Sequence, residues 1–473
     1  MKEPAGRYSV LAAVMLGSIM GPVDASIVNV VLPTITQSFG VSIATAQWVP
    51  MVYLLTISSL LLFYGRLGDI LGYKRVYLAG LAGFVIASGL CGLAPSVQWL
   101  IAFRAIQGLA AGMMMAVPYA IITTAFPAVE RGKALGIHAI SISAGLALGP
   151  TLGGLITSFV GWRFVFLINL PLGIAGLLWG RRVIPDQKGQ PGKIDLPGVV
   201  TAFIALLSLL LVVNRMQRLD GLSYVTSMMV LVAVLSGISF VLIERRVALP
   251  LLNLSLFRNR TFSAANLSAL FNFMSQYVLV FLTPFYLQRV LHYAPNRVGL
   301  VMTSFPLAVM AIAPFSGSLS DRIGTRPLAW LGASTCALAL YLTSHVPVAA
   351  SSGDVVWRLA LFGLGTGMFQ SPNNSAVMGS APRVHLGTAS GVLATMRNVG
   401  MVLGIATGGA VLYAFAPAEL LEKAILASSE AAAFLAGLRY AYLAGALLSG
   451  VAAATSLVRS SGEETGAREE TIV

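Results

Sequence analysis

Asp24 lies within YSVLAAVMLGSIMGPVDASIVNVVLP, residues 8–33, a run long enough to cross a bilayer. It is the one carboxylate set deep in any of the apolar spans assigned below. An ionised Asp near mid-membrane costs roughly 2.5–3.5 kcal/mol on insertion scales, so it is retained where something offsets that cost. Asp24 precedes Pro33 by nine residues, which places it about 13 Å from the outer end of its span at 1.5 Å per residue. Arg104 lies about seven residues into a span running the opposite way, hence about 10 Å deep. The depths agree, so an ion pair between the two is geometrically possible. Such a pair has two readings. It is a fixed structural salt bridge, or it is a proton site, because burial disfavours the charged carboxylate, a neighbouring arginine favours it, and parting the two moves a proton. An intramembrane ionisable residue is a functional site by default.

Other residues suit a binding cavity. Arg397, with Asn398 beside it, falls near mid-membrane and must face a cavity, a carbonyl cluster or an anion. Asn272, Phe273, Gln276, Tyr277 and Phe281 make a polar and aromatic cluster on one span, and Phe369, Gln370, Asn373 and Asn374 make another. Cavity walls take such mixtures, and so do ordinary helix contacts. Of the soft run Met113–Met115, one side chain, assigned to Met114, reaches the cavity while its neighbours face elsewhere. Asn29 is a further cavity candidate. Arg358 lies close to a span end, one turn from Asp354, and reads as a local i,i+4 pair.

These side chains need a membrane scaffold, and the composition supplies one. Of 473 residues, 57% are hydrophobic and 10% charged, with a mean hydropathy of +0.84. Soluble domains average about 25% charged residues, so this is a polytopic membrane protein. The formal charge of +13 suggests nucleic acid until its distribution is considered. Twenty of the 30 Lys and Arg fall on one side of the assigned spans, seven on the other and three inside them. That is the positive-inside signature, and no nucleic-acid partner is expected. Cys91 and Cys336 sit in separate spans and imply neither a disulfide framework nor a metal site. The four His show no metal spacing and there is no phosphate loop, so no cofactor is expected and ATP does not drive the cycle. Lys2 and Arg7 precede an apolar run too long for a signal peptide, which reads as a retained first helix.

Apolar runs place fourteen spans near 8–33, 46–66, 76–94, 97–124, 134–160, 164–182, 196–214, 224–243, 262–288, 298–320, 328–346, 355–379, 387–413 and 437–458. An even number puts both termini on one side, and the charge bias makes that side cytoplasmic. The stretch Glu419–Glu430 reads equally as a short surface helix or a loop. The acidic tail is solvent-facing chain.

The strongest organising signal is a repeat. Gly65-Arg-Leu-Gly-Asp69-Ile-Leu-Gly72 recurs as Gly317-Ser-Leu-Ser-Asp321-Arg-Ile-Gly324, an offset of 317 − 65 = 252. Arg104 maps near Arg358 at 254, and Gly145, Gly149, Gly153 and Gly154 match Gly400, Gly404, Gly408 and Gly409 at 255. The expected fold is therefore all-α, with an N-terminal six-helix half (1–182), a cytoplasmic linker (183–195), two additional helices (196–243), a second linker (244–261), a C-terminal six-helix half (262–458) and a cytoplasmic tail (459–473). The repeat offset carries Asp24 to the neutral neighbourhood of Gln276.

This pattern resembles the major facilitator superfamily, in particular its fourteen-span branch of drug:proton antiporters. The motifs run in order: Asp24-Ala-Ser-Ile-Val-Asn29-Val-Val-Leu-Pro33, then Gln47-Trp48-Val49, then Gly65–Arg75, then Arg104-Ala-Ile-Gln107-Gly108. After them come Gly145-Leu-Ala-Leu-Gly149-Pro150-Thr-Leu-Gly153-Gly154 and Trp162-Arg163-Phe-Val-Phe166-Leu-Ile-Asn169-Leu-Pro171. Two departures stand out. Ile70 replaces the arginine usual after Asp69, and the spans lack the further acids that some cation exporters of the branch use.

The resemblance implies a monomer of the bacterial inner membrane, not an enzyme, that exports an amphipathic organic compound in exchange for protons by alternating access. Asp24 and Arg104 would couple the proton. Gly65, Asp69, Arg75 and Asp321 would gate the cytoplasmic side, with Gly145, Gly149, Pro150, Gly153 and Gly154 as a tight, bendable contact between the two halves. The alternative keeps the fold and changes the cargo to an anionic metabolite or lipid-like compound, moved by antiport or uptake. Arg397 and the shortage of acids favour it. A membrane sensor or enzyme without transport is a third reading and lacks a catalytic cluster.

Overall fold

In a computed structural model, residues 6–186, 189, 195–216, 224–247, 254–382, 386–423 and 426–458 are described. Among them the secondary structure is helical throughout. The helices are α1 (Arg7–Phe39), α2 (Ile43–Ala46), α3 (Trp48–Leu71), α4 (Tyr73–Gly92), α5 (Val97–Ala116), α6 (Pro118–Ala125), α7 (Ala128–Phe159), α8 (Phe164–Leu167) and α9 (Asn169–Val183). They continue as α10 (Leu196–Met216), α11 (Tyr224–Glu244), α12 (Arg260–Arg289), α13 (Pro295–Ile323), α14 (Thr325–Ser344), α15 (Ser352–Gly379), α16 (Leu386–Phe415), α17 (Ala418–Glu422) and α18 (Ser428–Leu457). A backbone in hydrocarbon must satisfy its own polar groups, which is why apolar runs of this length fold as helices. Ten helical stretches among the described residues are long and apolar enough to cross a membrane, and Ala144–Phe159 and Leu196–Leu209 are shorter apolar segments.

Several ends follow local chemistry. Pro33 does not stop α1, which runs on to Phe39 and closes at Gly40, whose left-handed backbone lets its N–H reach back to the Gln37 carbonyl. The expected single span at 97–124 is two helices, because Pro118 has no N–H to continue α5 and instead starts α6. Ser351 and Asp354 form a capping box that opens α15.

The chain divides into two compact units, Met1–Val199 with Tyr293–Thr303, and Val200–His292 with Ser304–Val473. In the first unit α1 packs on α7 and α9, α4 on α5 and α9, and α3 on α5. In the second α12 packs on α16 and α18, and α14 on α15 and α18. These pairings correspond through the sequence repeat, with α1, α4, α5, α7 and α9 matching α12, α14, α15, α16 and α18. The repeated glycines do the same work in each. A Cβ on Gly145 would press on Ile19 and Pro22 of α1, and one on Gly400 on Leu270 and Phe273 of α12. Gly149 abuts Ser26 and Ile27, and Gly404 abuts the Met274 backbone. The two loop copies also end alike, on Gly72 at φ 91° and Gly324 at φ 88°, a backbone region that side chains with a Cβ rarely enter.

Candidate functional site

Five helices of the first unit converge on Asp24. On α5, Arg104 and Gln107 are three residues apart and so share a face. Arg104 Nη1 donates to Asp24 Oδ2, and both side chains are 0% exposed. Gln107 Nε2 donates to Asp24 Oδ1 at 3.0 Å, and Asn169 Nδ2, from α9, does so at 3.3 Å. Ser88 on α4 ties the amides together, accepting from Gln107 at 2.8 Å and from Asn169 at 3.3 Å. Arg104 is held in turn by the Gln107 Oε1 at 2.6 Å and by the Val49 carbonyl of α3 at 3.2 Å. Its guanidinium carbon lies 3.9 Å from the Tyr53 ring centroid, where the ring face offers the cation further stabilisation. The result is a dry, nearly neutral cluster in which the carboxylate has three donors. Removing one member of a buried pair leaves an uncompensated charge, which costs about 3–5 kcal/mol.

Gln107 and Asn169 enter the sequence reading only as members of motifs, and Ser88 does not enter it. Gln107 was within reach of sequence reasoning, since it lies one turn from Arg104. Ser88 and Asn169 carry no such signal, because neutral polar residues are common in spans. Asn29, also on α1, is 1% exposed and returns its amide to the Ala25 carbonyl at 2.8 Å. Met114 is fully buried, its sulfur facing Gly17 of α1 and its backbone N–H close to Gly80 of α4.

In the second unit the expected cluster is partly assembled. Gln370 Nε2 on α15 donates to Gln276 Oε1 on α12 at 3.4 Å. Arg397 on α16 is half-buried, its guanidinium carbon 5.0 Å from the Phe273 ring centroid. Tyr277 and Asn373 are buried. Asn272 is fully buried beside the Cys336 thiol. Phe369 packs with Ala329, Ala333, Ala452 and Ala453 in a core of α14, α15 and α18. Arg358 holds the Asp354 carbonyl at 2.6 Å and the Leu342 carbonyl at 3.1 Å, a local role.

The residues expected to gate lie on α3, α4, α7 and α13. Asp69 accepts from Tyr73 Oη at 2.7 Å and lies 3.5 Å from Arg66 Nη1, so local donors stand where Ile70 has displaced the usual arginine. Lys74 pairs with Asp186 at 3.2 Å, while Arg75 is exposed and Gly65 has open space around it. The Asp321 side chain lies outside the described residues. Within the first unit, α7 meets the opening residues of α13 backbone to backbone. A Cβ on Gly154 would strike the Pro295 carbonyl, and one on Gly299 the Pro150 carbonyl. Gly153 closes on Ile27 of α1. Thr151 and Thr303 share a hydrogen bond of 2.5 Å, and the Asn296 N–H donates to Ser158 Oγ at 2.9 Å. Among the described residues no group of three or more His, Cys, Asp or Glu is placed to hold a metal ion.

Comparison with known proteins agrees with this architecture. The family description "Major Facilitator Superfamily" matches residues 14–405 and 265–470. The chain is 33% identical to the riboflavin transporter RibZ of Clostridioides difficile over 85% of its own length and 87% of that protein. It is 34% identical to the multidrug resistance protein Stp of Mycobacterium tuberculosis over 88% of its length and 78% of that protein. A bacterial homologue of the human lysosomal transporter Spinster, solved in an inward-facing conformation, superposes with a TM-score of 0.67 at 18% identity, covering 98% of each chain.

Proposed function

The chain belongs to the Major Facilitator Superfamily, and on that premise we propose that it is a proton-coupled antiporter of an amphipathic organic metabolite, neutral or anionic. The coarser facts need no proposal. It is a polytopic secondary transporter of the bacterial inner membrane, a carrier and not an enzyme.

The observation that carries the cargo reading is the placement of charge. The Asp24 carboxylate is enclosed by Arg104, Gln107 and Asn169. On α12, α14 and α16 there is no Asp or Glu at all, and α16 presents Arg397 beside Phe273. A permanent cation would find rings and amides there but no partner of opposite charge. A flat or acidic amphiphile would find a guanidinium, Tyr277 and the Gln276–Gln370 pair. The riboflavin specificity in the name of one relative fits this class.

A second reading, export of several drugs, draws on the relatives named for multidrug resistance. The same Asp24 chemistry would serve it.

We place fourteen spans in the membrane, as two six-helix halves (1–182 and 262–458) around two additional helices (196–243), working as a monomer by alternating access. Asp24 carries the proton, Arg104 modulates it, and the Gly65–Arg75 loop and the α7 glycines gate. Proteoliposomes with and without a pH gradient, tested with riboflavin, an anionic dye and ethidium, separate the readings. Gradient-stimulated movement of riboflavin or the anion, with ethidium inert, is expected. Ethidium as the preferred cargo would overturn the first reading in favour of the second.

A further inference from the structure

His138 on α7 is 1% exposed, and neither ring nitrogen has a hydrogen-bond partner among the described residues. Tyr119 of α6 meets it edge to face, ring centroids 5.2 Å apart at 79°. A neutral imidazole has one N–H to donate and one nitrogen to accept. Leaving such a group buried and unpaired forfeits the hydrogen bonds it would make to water. A phenylalanine would fill the same space without that cost, so packing does not account for a histidine here.

Its level in the unit is informative. Gly145 meets Ile19 and Pro22 of α1 while Gly149 meets Ser26, so Asp24 stands level with the Gly145–Gly149 turn of α7. His138 precedes that turn by seven to eleven residues, about 10–17 Å along the helix. Beyond it, Arg7 of α1 and Glu130 of α7 pair at 3.1 Å, at the end of the unit that the charge distribution makes cytoplasmic. His138 therefore lies between Asp24 and the cytoplasmic end.

The ionisable groups on the elements packed against α7 are already engaged. On α1, Arg7 is paired with Glu130, Tyr8 meets Phe126 edge to face, and Asp24 is bound to Arg104. On α6 there is Tyr119, whose ring meets the imidazole. On α8 there are none, and at the start of α13 Arg297 covers Tyr293. On α7 itself Arg131 and Lys133 have side chains outside the described set.

We propose that His138 is a second proton-binding site of the transport cycle, on the cytoplasmic side of Asp24, that is filled when water reaches the α6–α7 contact. The step is a simple transfer. The O–H bond of protonated Asp24 breaks, the proton passes through water, and an N–H bond forms at the open ring nitrogen. Release to cytoplasmic water then restores the neutral imidazole. This inference rests on the proton-coupled reading given above.

The test reads the imidazole directly. The full chain carrying His292→Gln, His345→Gln and His385→Gln keeps His138 as its one histidine, and in lipid nanodiscs with 15N-histidine its ring signals report protonation from pH 5.5 to 8.5. The proposal expects imidazolium to accumulate towards the acid end. A neutral ring throughout overturns it. In proteoliposomes with riboflavin or ethidium as probe, His138→Phe should cut gradient-driven movement at least fivefold and leave counterflow within twofold. Gradient-driven movement within twofold of wild type in both His138→Phe and His138→Gln also overturns it, and the Gln variant decides if the Phe variant does not fold. The Asp24→Asn variant keeps the two ideas apart. If it retains gradient-driven transport while His138 still titrates, the Asp24 assignment fails and the His138 site stands.

Discussion

Arg104 shows how much one buried side chain has to satisfy: a carboxylate, an amide, a carbonyl and a ring face. Replacing it with Met leaves Asp24 buried without its counter-ion, and a loss of about 3–5 kcal/mol in unfolding free energy is expected. Thermal unfolding in detergent at neutral pH measures it, and a variant as stable as wild type would contradict the buried-pair account. Gln107→Leu should cost less, about 1–3 kcal/mol, because it strips one neutral donor from Asp24 and one from Ser88. Its sharper signature is functional, a changed ratio of protons to cargo with the folded yield preserved. Of this cluster, the sequence revealed the two charges, since a rise of 1.5 Å per residue turns position into depth. It did not reveal the amides and hydroxyl that complete the shell, because depth says nothing of which neutral side chain rotates towards a carboxylate. Phe369 illustrates the same gap. Its place beside Gln370 suggested a cavity wall, yet its ring lies among alanines of the core.

At the scale of helices, existence was legible and ends were not. Hydropathy marks apolar runs, but it is blind to α1 continuing past Pro33 and to the break at Pro118. The spaced glycines suggested a close contact of α7 with the other half, while the particular residues of α13 that it meets at that seam were not legible, because a contact between distant segments has no local signal. Gly149→Val is expected to force α1 and α7 apart, since its side chain must displace Ser26 and the Ile27 backbone. Overpacking of this kind costs about 1–3 kcal/mol. Gly404→Val should behave alike in the second unit, against Met274. Folded yield by size-exclusion chromatography checks both, and normal yields would argue against tight contacts. Gly154→Val, at the Pro295 carbonyl, should instead spare folding and slow transport if the seam must close in each cycle.

For the whole molecule, the repeat is the sequence feature with a direct counterpart in the structure. Matching glycines serve matching helix pairs in each unit. The cargo was not legible in the same way, because a binding surface is assembled from single residues on many helices. The proposed fourteen-span topology puts the connection between α10 and α11 outside and that between α11 and α12 inside, so a phosphatase reporter is expected to be active when inserted in the first and silent in the second, with a fluorescent reporter giving the reverse. The same compartment for both insertions would contradict it. The central claim is that Asp24 carries the coupling proton, and its most direct measurement is transport in proteoliposomes by wild type and Asp24→Asn, using riboflavin and ethidium as probes. The account predicts that the variant keeps counterflow within about twofold and loses stimulation by a pH gradient. A variant whose gradient-driven rate equals that of wild type would contradict it.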